Sequence, residues 1–259
     1  MHLSRAQQGF TLTELAVVFA IVALLVGGAM MTLSAQVDTR NNDETLRRLN
    51  AAADAVVAFA IVNKRLPCPA INGGVESFCP AATGTCSGTE TTAVQAHGNC
   101  SNFYNAFLPA VSVGASAQDG NGFAVDAWGN RLRYVVARDN TGCTTPPPAN
   151  TRLFTSVANL KTYGVGCRPN DLDICTSAGC AARAVSQETA VFLVYSTGKN
   201  GAIAAAHGAD ETENLDNDAR FVNRLPAGPE SALGVYDDVV VMVPVGMVYS
   251  KLISAGVLP

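Results

Sequence analysis

Residues 9–31 read GFTLTELAVVFAIVALLVGGAMM, and this stretch decides the fold of the N-terminal part of the chain. A run of about twenty apolar residues is long enough to span a bilayer as a helix. Glu14 lies near the start of the run, and an ionised side chain within a bilayer costs on the order of 2.5–3.5 kcal/mol even on the mild insertion scale. The sequence therefore predicts a membrane helix in which Glu14 has a partner and a function.

The helical pattern continues beyond the apolar run. No proline occurs between residues 10 and 66, and apolar side chains recur at steps of three and four residues from Leu46 to Ala60. Pro67 disfavours helix at the residue before it, so we expect the helix to end around Asn63–Arg65. Asn41-Asn42-Asp43 is its weakest point.

These observations predict one long helix with two halves. Residues 10–32 form the transmembrane half, and residues 33–65 form an amphipathic half whose apolar stripe packs on a globular part. A secretory signal peptide is the alternative, with a cleavage site at Gly27-Gly28-Ala29. The length of the apolar run and its unbroken helical continuation favour a helix that stays attached.

The residues Gly9-Phe10-Thr11-Leu12-Thr13-Glu14-Leu15 and the following apolar run resemble the N-terminus of type IV prepilins and of type II secretion pseudopilins. The resemblance implies a leader peptide at residues 1–9, which a prepilin peptidase/methyltransferase removes between Gly9 and Phe10 before it methylates Phe10. It also implies that Glu14 neutralises the N-terminal amine of a neighbouring subunit in a filament. A charge pair of this kind offsets much of the desolvation of each group.

The composition predicts a folded chain and does not indicate a binding partner of high charge. Hydrophobic residues make up 48% of the 259 residues and charged residues only 15%, which argues against disorder. The net charge of -4 gives no basic footprint for nucleic acid, so no nucleic-acid partner is expected.

The eight cysteines are an even set with irregular spacing and no CxxC pair, so zinc-ligand spacing is absent. Outside the cytoplasm we expect disulfides, with buried free thiols or an unrecognised metal site as alternatives. A cysteine-free stretch separates two groups of four, and proximity favours pairing within each group. The groups are Cys68, Cys79, Cys86 and Cys100, then Cys143, Cys167, Cys175 and Cys180.

Residues 66–259 are predicted to form a globular head. A hairpin is expected over residues 123–138, a buried strand over residues 189–197, and a final strand over residues 236–249. Pro244 in the final strand indicates a bend or a sheet edge. We therefore predict a pilin-like α+β fold, in which the long N-terminal helix packs on an antiparallel β-sheet head with disulfide-rich loops.

Two further segments resemble major pseudopilins. Asp126-Ala127-Trp128-Gly129-Asn130 is similar to their Asp-Pro-Trp-Gly-Asn element, with Ala127 in place of the proline. Trp128 is interpreted as a core anchor under this turn, and a sugar-stacking role is the alternative. The segment 195–201 (YSTGKNG), followed by an acidic loop and Asp237-Asp238-Val239, is similar to their C-terminal region.

The resemblance also implies a possible calcium site, because major pseudopilins bind calcium in that loop. Residues 207–221 offer carboxylate oxygens of the kind that calcium needs, with Asp210, Asp216 and Asp218 as candidate ligands and Glu211 and Glu213 beside them. These residues match no EF-hand frame, and a solvated acidic loop is the alternative interpretation.

The sequence contains none of the short catalytic motifs of hydrolases or zinc proteases, so we expect no enzyme. The resemblance implies a structural subunit, a pseudopilin or minor pilin, in a type II secretion pseudopilus or a type IV pilus-like filament. A minor type IV pilin acting as adhesin or DNA-uptake subunit is the alternative, and a membrane-anchored extracytoplasmic enzyme is less favoured.

The implied location is the bacterial inner membrane, crossed once, with the head in the periplasm before assembly. The implied partners are the prepilin peptidase, other pilin or pseudopilin subunits, an assembly platform protein and membrane lipid.

Overall fold

The computed structural model describes residues 11–138, 142–143, 147–148 and 151–258, with the side chains of residues 28–35 and 142 excepted. The chain divides into two compact units, Met1–Asp43 and Glu44–Pro259. The boundary therefore falls within the first helix, directly after the Asn41-Asn42-Asp43 segment.

The helices are α1 (Leu12–Asn63), α2 (Ala110–Val113), α3 (Val157–Tyr163), α4 (Ala209–Glu213) and α5 (Val245–Ser254), with 3-10 turns at Gly164–Gly166 and Ala204–Ala206. The strands are β1 (Ala106–Phe107), β2 (Arg133–Val136), β3 (Gly142–Cys143), β4 (Cys167–Arg168), β5 (Asp173–Cys175), β6 (Ala190–Ser196), β7 (Arg220–Val222) and β8 (Val239–Pro244).

The first unit holds the N-terminal part of α1. Its large apolar side chains, such as Leu12, Phe19 and Leu24, are exposed in the single chain. In the part of the chain that the structure describes, no helix has the combined length and apolar character needed to cross a membrane. The predicted span at residues 10–32 includes positions outside the described backbone or side chains, and it stays a prediction.

The second unit is built on a four-stranded antiparallel sheet in the order β1-β2-β6-β8. Every residue of β6 is buried, as expected for a central strand rich in β-branched and aromatic residues. From Glu44 onward, α1 contributes Leu49, Val56 and Ala60 to the same hydrophobic core as the sheet. The predicted α+β, pilin-like fold with an amphipathic helix is confirmed, although Leu46 stays exposed beside the stripe.

Four disulfides join the eight cysteines, and each pair lies within one of the predicted groups of four. The pairs are Cys68–Cys100, Cys79–Cys86, Cys143–Cys167 and Cys175–Cys180. Covalent cross-links therefore stabilise loops that have too few apolar residues to form a hydrophobic core of their own.

The C-terminal strand is shorter than the sequence predicted. β8 ends at Pro244, which is the N-cap of helix α5, so the prediction of strand over residues 245–249 is wrong. Proline has no N–H for a sheet hydrogen bond but is compatible with a helix start. Val248 and Leu252, four residues apart, are buried on one face of α5.

The predicted hairpin at residues 123–138 is only partly formed. The isolated bridge Val125↔Arg131 closes the turn around Gly129, whose φ is +90°. Beyond it, β2 pairs with β1 and β6. The predicted turn is therefore present, but the strand that follows it pairs with β1 and β6 and not with the residues directly before the turn.

A buried ion pair holds the end of α1 to the loop that follows it. The Arg65 guanidinium donates to both oxygens of Glu76 at 2.5 and 2.8 Å, and the two side chains are only 5% and 8% exposed. Glu76 also accepts a hydrogen bond from the N–H of Cys68 at 2.8 Å. Because each charge compensates the other, loss of one leaves an uncompensated charge in the interior.

We predict that Glu76→Gln lowers the free energy of unfolding by about 3–5 kcal/mol, since it leaves the buried Arg65 without its counter-charge. Denaturant unfolding of the purified, oxidised chain measures this change. Glu188→Gln is the matched control, because Glu188 pairs with Arg168 at 3.2 Å on the surface, with the side chains 50% and 68% exposed. The control is expected to change stability by less than about 1 kcal/mol. Equal losses in the two variants would contradict the prediction.

Candidate functional site

The N-terminal candidates fall at the start of α1. Gly9 and Phe10, the predicted cleavage and methylation residues, lie outside the described residues. Glu14 lies in the first turn of α1. The neighbouring apolar side chains Leu15, Val17 and Val18 are exposed in the single chain, so Glu14 borders an apolar surface of the kind that marks an interaction site.

Glu14 already has a partner within its own chain. Its Oε2 accepts hydrogen bonds from the N–H and the hydroxyl of Thr11 at 2.9 and 2.7 Å, and the N–H of Glu14 donates to Thr11 Oγ1 at 3.3 Å. This reciprocal arrangement is a capping box, whose sequence signature is Thr-x-x-Glu. Sequence reasoning missed it, although residues 11–14 (TLTE) carry the signature.

The Asp-Ala-Trp-Gly-Asn element is organised around the buried carboxylate of Asp126. Its Oδ1 accepts from the N–H groups of Trp128 and Asn130, both at 2.8 Å. Its Oδ2 accepts from the hydroxyl of Ser196 at 2.6 Å. Trp128 is half-buried instead of fully buried, and its indole N–H has no hydrogen-bond partner among the described residues.

The two segments that resemble major pseudopilins lie against each other. The Asn130 side chain donates to the carbonyl of Gly198 at 2.7 Å, and the Gly198 N–H donates to Ser196 Oγ at 3.0 Å. Gly198 has a φ of +65°, and a Cβ at this position would overlap Asp237 Oδ1. Glycine is therefore required where the 195–201 segment approaches the acidic residues before β8.

Three carboxylates converge at that point. Oxygen atoms of Glu211, Asp237 and Asp238 all lie within 4.8 Å of one another. Glu211 comes from α4, and the two aspartates directly precede β8. We call these three residues the acidic triad. Glu211 and Asp238 are buried and Asp237 is half-buried, so the triad gathers negative charge in a poorly hydrated place.

The surrounding hydrogen bonds only partly satisfy the triad. Glu211 accepts from the N–H groups of Gly208 and Asp237 at 2.8 and 2.7 Å, and from the Asn200 side chain at 3.0 Å. The Asn200 N–H donates to Asp237 Oδ2 at 3.1 Å. Asp237 Oδ1 and Asn200 Oδ1 are buried and have no donor among the described residues. One oxygen of the triad and the neighbouring Asn200 Oδ1 are therefore available to a cation.

Burial shifts the titration of the two aspartates. It raises the pKa of Asp238 to about 8, and the charges of Glu211 and Asp237 add to the rise against the hydrogen bond from Asn214. Burial also raises the pKa of Asp237 to about 6, opposed by the hydrogen bond from the Asn200 N–H and increased by Glu211. Both carboxyls therefore bind protons more tightly in the folded chain than in an unfolded one.

The structure does not bring together the three calcium ligands selected from the sequence. Both oxygens of Asp210 are engaged, one by the Ala178 N–H at 2.7 Å and the other by Arg224 at 2.6 Å. Asp216 and Asp218 lie near Glu213 in a second, more exposed cluster. The Asp237-Asp238 pair before the last strand is the sequence feature that could have indicated the triad.

Comparison with known proteins identifies the N-terminal motif. Residues 4–30 match the family model described as the prokaryotic N-terminal methylation motif. The chain therefore carries the prepilin-type cleavage and methylation motif of type IV pilins and pseudopilins. Searches of curated proteins and of solved structures gave no match. The motif, together with the α+β fold, supports a type IV pilin-like or pseudopilin subunit.

We predict that stability falls as the pH rises when no divalent cation is present. The Asp237 and Asp238 pKa values are raised on folding, so their contribution is complete below about pH 4 and is lost as the pH passes about 6 and then about 8. Melting temperatures of the purified chain in chelator, taken between about pH 5 and 8, test this linkage.

Asp238→Asn should flatten this pH dependence, because the amide does not titrate. Asp54→Asn, at an exposed carboxylate on α1, is the control, and it should leave the slope unchanged. A wild-type melting temperature that is constant or rises over the same pH range would overturn the assignment.

Proposed function

We propose that this chain is a structural filament subunit, a pseudopilin or minor pilin, with no enzymatic role. A prepilin peptidase would cut it between Gly9 and Phe10 and methylate Phe10. The product would assemble with other pilin or pseudopilin subunits into a type II secretion pseudopilus or a type IV pilus-like filament. The observation that carries the proposal is the methylation motif at residues 4–30, which overlaps the start of α1, where the apolar side chains are exposed.

The exposed apolar part of α1 supports storage in a membrane before assembly. Burying apolar surface lowers the free energy of a protein by about 25 cal/mol per Å². The exposed side chains of Leu12, Phe19 and Leu24 would therefore be buried by lipid or by neighbouring helices. The disulfides fit a head outside the reducing cytoplasm. We therefore propose the inner membrane as the location before assembly, with the head in the periplasm and with a platform protein as the assembly partner.

Two segments of the head support a secretion pseudopilin, whereas the size and the cysteine content of the head support the alternative, a minor type IV pilin acting as adhesin or DNA-uptake subunit. The two segments that resemble major pseudopilins are joined by the Asp126–Ser196 and Asn130–Gly198 hydrogen bonds. The net charge of -4 also argues against DNA as a ligand.

Glu14 has two competing uses in this proposal. In the single chain it caps α1 through Thr11. Between packed apolar helices its carboxylate would instead need a positive charge, because an uncompensated buried charge is costly. The new amine of Phe10 on a neighbouring subunit would supply that charge. The pairing would then select the position of one subunit against the next.

We predict that Glu14→Gln reduces incorporation into filaments by about tenfold or more, because it leaves the amine of a neighbour unpaired. Cleavage before Phe10 and methylation should continue, as mass spectrometry of the N-terminus would show. Thr11→Ala is the matched control, since it removes the cap and keeps the carboxylate, and it should assemble nearly normally. Immunoblots of the sheared filament fraction from the native host measure assembly.

The possible outcomes separate the two roles. Normal assembly of Glu14→Gln would contradict the charge pairing. An equal defect in both variants would make helix capping the function of Glu14. A wild-type chain that is neither cut before Phe10 nor found in any filament would overturn the proposal of a filament subunit.

We also propose that the acidic triad holds a calcium ion. Calcium takes six to eight oxygen ligands. Three carboxylates converge here beside Asn200 Oδ1, and this oxygen and Asp237 Oδ1 of the triad lack donors among the described residues. The ion would favour the ionised carboxylates and thereby remove the cost of burying them. The Asp210 carboxylate fits this role less well, because Arg224 already compensates it.

We predict that millimolar calcium raises the melting temperature of the chain relative to chelator, because a ligand that binds only the folded state stabilises it. The increase should be larger at about pH 8 than at about pH 5, where the carboxyls of the triad bind protons. Asp237→Asn should abolish the increase, and Asp216→Asn should retain it. No shift with the wild-type chain would refute calcium binding, and the opposite variant pattern would place the ion in the exposed cluster.

A further inference from the structure

One disulfide closes a short loop that touches the helix carrying part of the acidic triad. Cys175 ends β5 and is buried, whereas Cys180 is half-buried and lies only five positions further along the chain. The residues on either side of Cys180, at positions 179 and 181–184, are exposed. We call residues 175–180 the disulfide loop. A thiol in solution can therefore approach Cys180 while the head stays folded.

The disulfide holds this loop in a conformation that its residues do not favour by themselves. Cys180 has a φ of +47°, which is a left-handed conformation that residues with a Cβ adopt at a cost. The N–H of Cys180 donates to the carbonyl of Ser177 at 2.9 Å and closes the turn. The covalent bond to Cys175 offsets the cost, so reduction would allow the loop to leave this conformation.

The disulfide loop anchors α4, which carries Glu211 of the triad. The N–H of Ala178 donates to Asp210 Oδ1 at 2.7 Å, and Arg224 Nε donates to Asp210 Oδ2 at 2.6 Å. Asp210 is only 3% exposed and directly precedes Glu211 in a helix of five residues. A helix of this length is not stable alone, so the bonds to Asp210 help to fix the position of Glu211.

Arg224 connects the same anchor to the other half of the triad. Its guanidinium donates to the carbonyl of Gly234 at 3.1 Å, and the guanidinium carbon lies 4.6 Å from the centre of the Tyr236 ring. Tyr236 directly precedes Asp237. The buried Asp210–Arg224 pair is therefore in contact with the segments that supply both sides of the triad, and the disulfide loop supports this pair.

A second short disulfide provides an internal comparison. Cys79 and Cys86 are seven positions apart, with Cys79 buried and Cys86 half-buried. Their loop is bonded to Asn99, whose carbonyl accepts from the Cys79 N–H and whose side chain donates to the carbonyls of Ala81 and Gly84. The two disulfides are thus alike in size and access, but the bond to α4 comes from the disulfide loop.

We infer that the Cys175–Cys180 disulfide is a redox switch for the acidic triad, which holds its cation while the disulfide is intact and releases it on reduction. This inference rests on the calcium site proposed above. Reduction would free the Ala178 N–H from Asp210 and leave a buried carboxylate oxygen without its donor. Movement of α4 toward water would restore a donor, and it would carry Glu211 away from the two aspartates.

The reductant is a protein dithiol of the thioredoxin class. One of its thiolates attacks Sγ of Cys180, the S–S bond breaks, and Cys175 leaves as a thiolate that takes up a proton. The second thiol of the reductant then forms a disulfide within the reductant and releases Cys180 as a thiol. Two electrons and two protons thus pass to the chain. Asp173 Oδ2 lies 3.7 Å from the sulfur of Cys180, and its pairing with Arg183 offsets a charge that would repel the attacking thiolate.

Calorimetric titration of the purified, oxidised full-length chain with calcium tests the inference. Cys175→Ser/Cys180→Ser should weaken calcium binding by about tenfold to a hundredfold, as the loss of groups that hold metal ligands in place does. Cys79→Ser/Cys86→Ser is the matched control and should bind as the wild type does. Ala178→Pro removes the N–H that anchors α4 and keeps the disulfide, so it should also weaken binding. It serves if the serine variant does not fold.

Graded reduction of the wild-type chain with thioredoxin tests the switch directly. Mass spectrometry of the alkylated chain should show that Cys175–Cys180 opens before Cys68–Cys100, in which both cysteines are buried. Calcium affinity should fall as Cys175–Cys180 opens and should return on reoxidation. A Cys175–Cys180 disulfide that opens only when the chain unfolds would overturn the inference.

The remaining outcomes separate the switch from the calcium site. Equal calcium affinity of the wild type and Cys175→Ser/Cys180→Ser, or equal losses in both double variants, would overturn the switch and leave the calcium site standing. Absence of calcium binding by the wild type would refute the site itself. The melting temperature in chelator between about pH 5 and 8 then tests the loop. An equal slope in the wild type and Cys175→Ser/Cys180→Ser would overturn its hold on the triad, and a flatter slope in the variant would support it.

Discussion

The buried Asp126 joins three elements of the head through its carboxylate and its main-chain carbonyl. The side chain closes its own turn and binds Ser196 at the end of β6. Its carbonyl accepts from Arg48 of α1 at 2.7 Å. The helix, the turn and the central strand therefore meet at one residue, and the turn also positions Asn130 against Gly198. Through these contacts the same residue supports the loop in which the acidic triad is assembled.

Features with a local or periodic signal could be predicted from the sequence. The core stripe from Leu49 to Ala60, the buried strand β6 and the grouping of the cysteines all follow from spacing or from composition over short windows. The acidic triad could not be predicted in the same way. Glu211 and the Asp237-Asp238 pair come from different elements of the fold. Only the tertiary structure determines that Asp210, next to Glu211, pairs with Arg224 and does not join the triad.

The same electrostatic constraint applies at both ends of the chain. Glu14 borders exposed apolar side chains, and the triad is enclosed by the head. A carboxylate that is enclosed by apolar surroundings needs a positive partner, a proton or a hydrogen-bond donor, as the triad does in the head and as Glu14 would between packed helices. Thr11 provides donors to Glu14 in the single chain. Burial and the neighbouring carboxylates raise the pKa of both aspartates of the triad, so protons compensate these groups when no cation is bound.

The disulfides link residues only 5, 7, 24 and 32 positions apart, and no cysteine occurs in α1. The covalent cross-links therefore strengthen the loops without fastening the helix to the sheet. Mechanical load applied along α1 is borne by non-covalent packing and by the Arg65–Glu76 pair at its end. Glu76 lies within the loop that the Cys68–Cys100 disulfide closes and accepts from the N–H of Cys68. Reducing conditions would therefore loosen the end of the helix before they disturb the packing of α1 on the sheet.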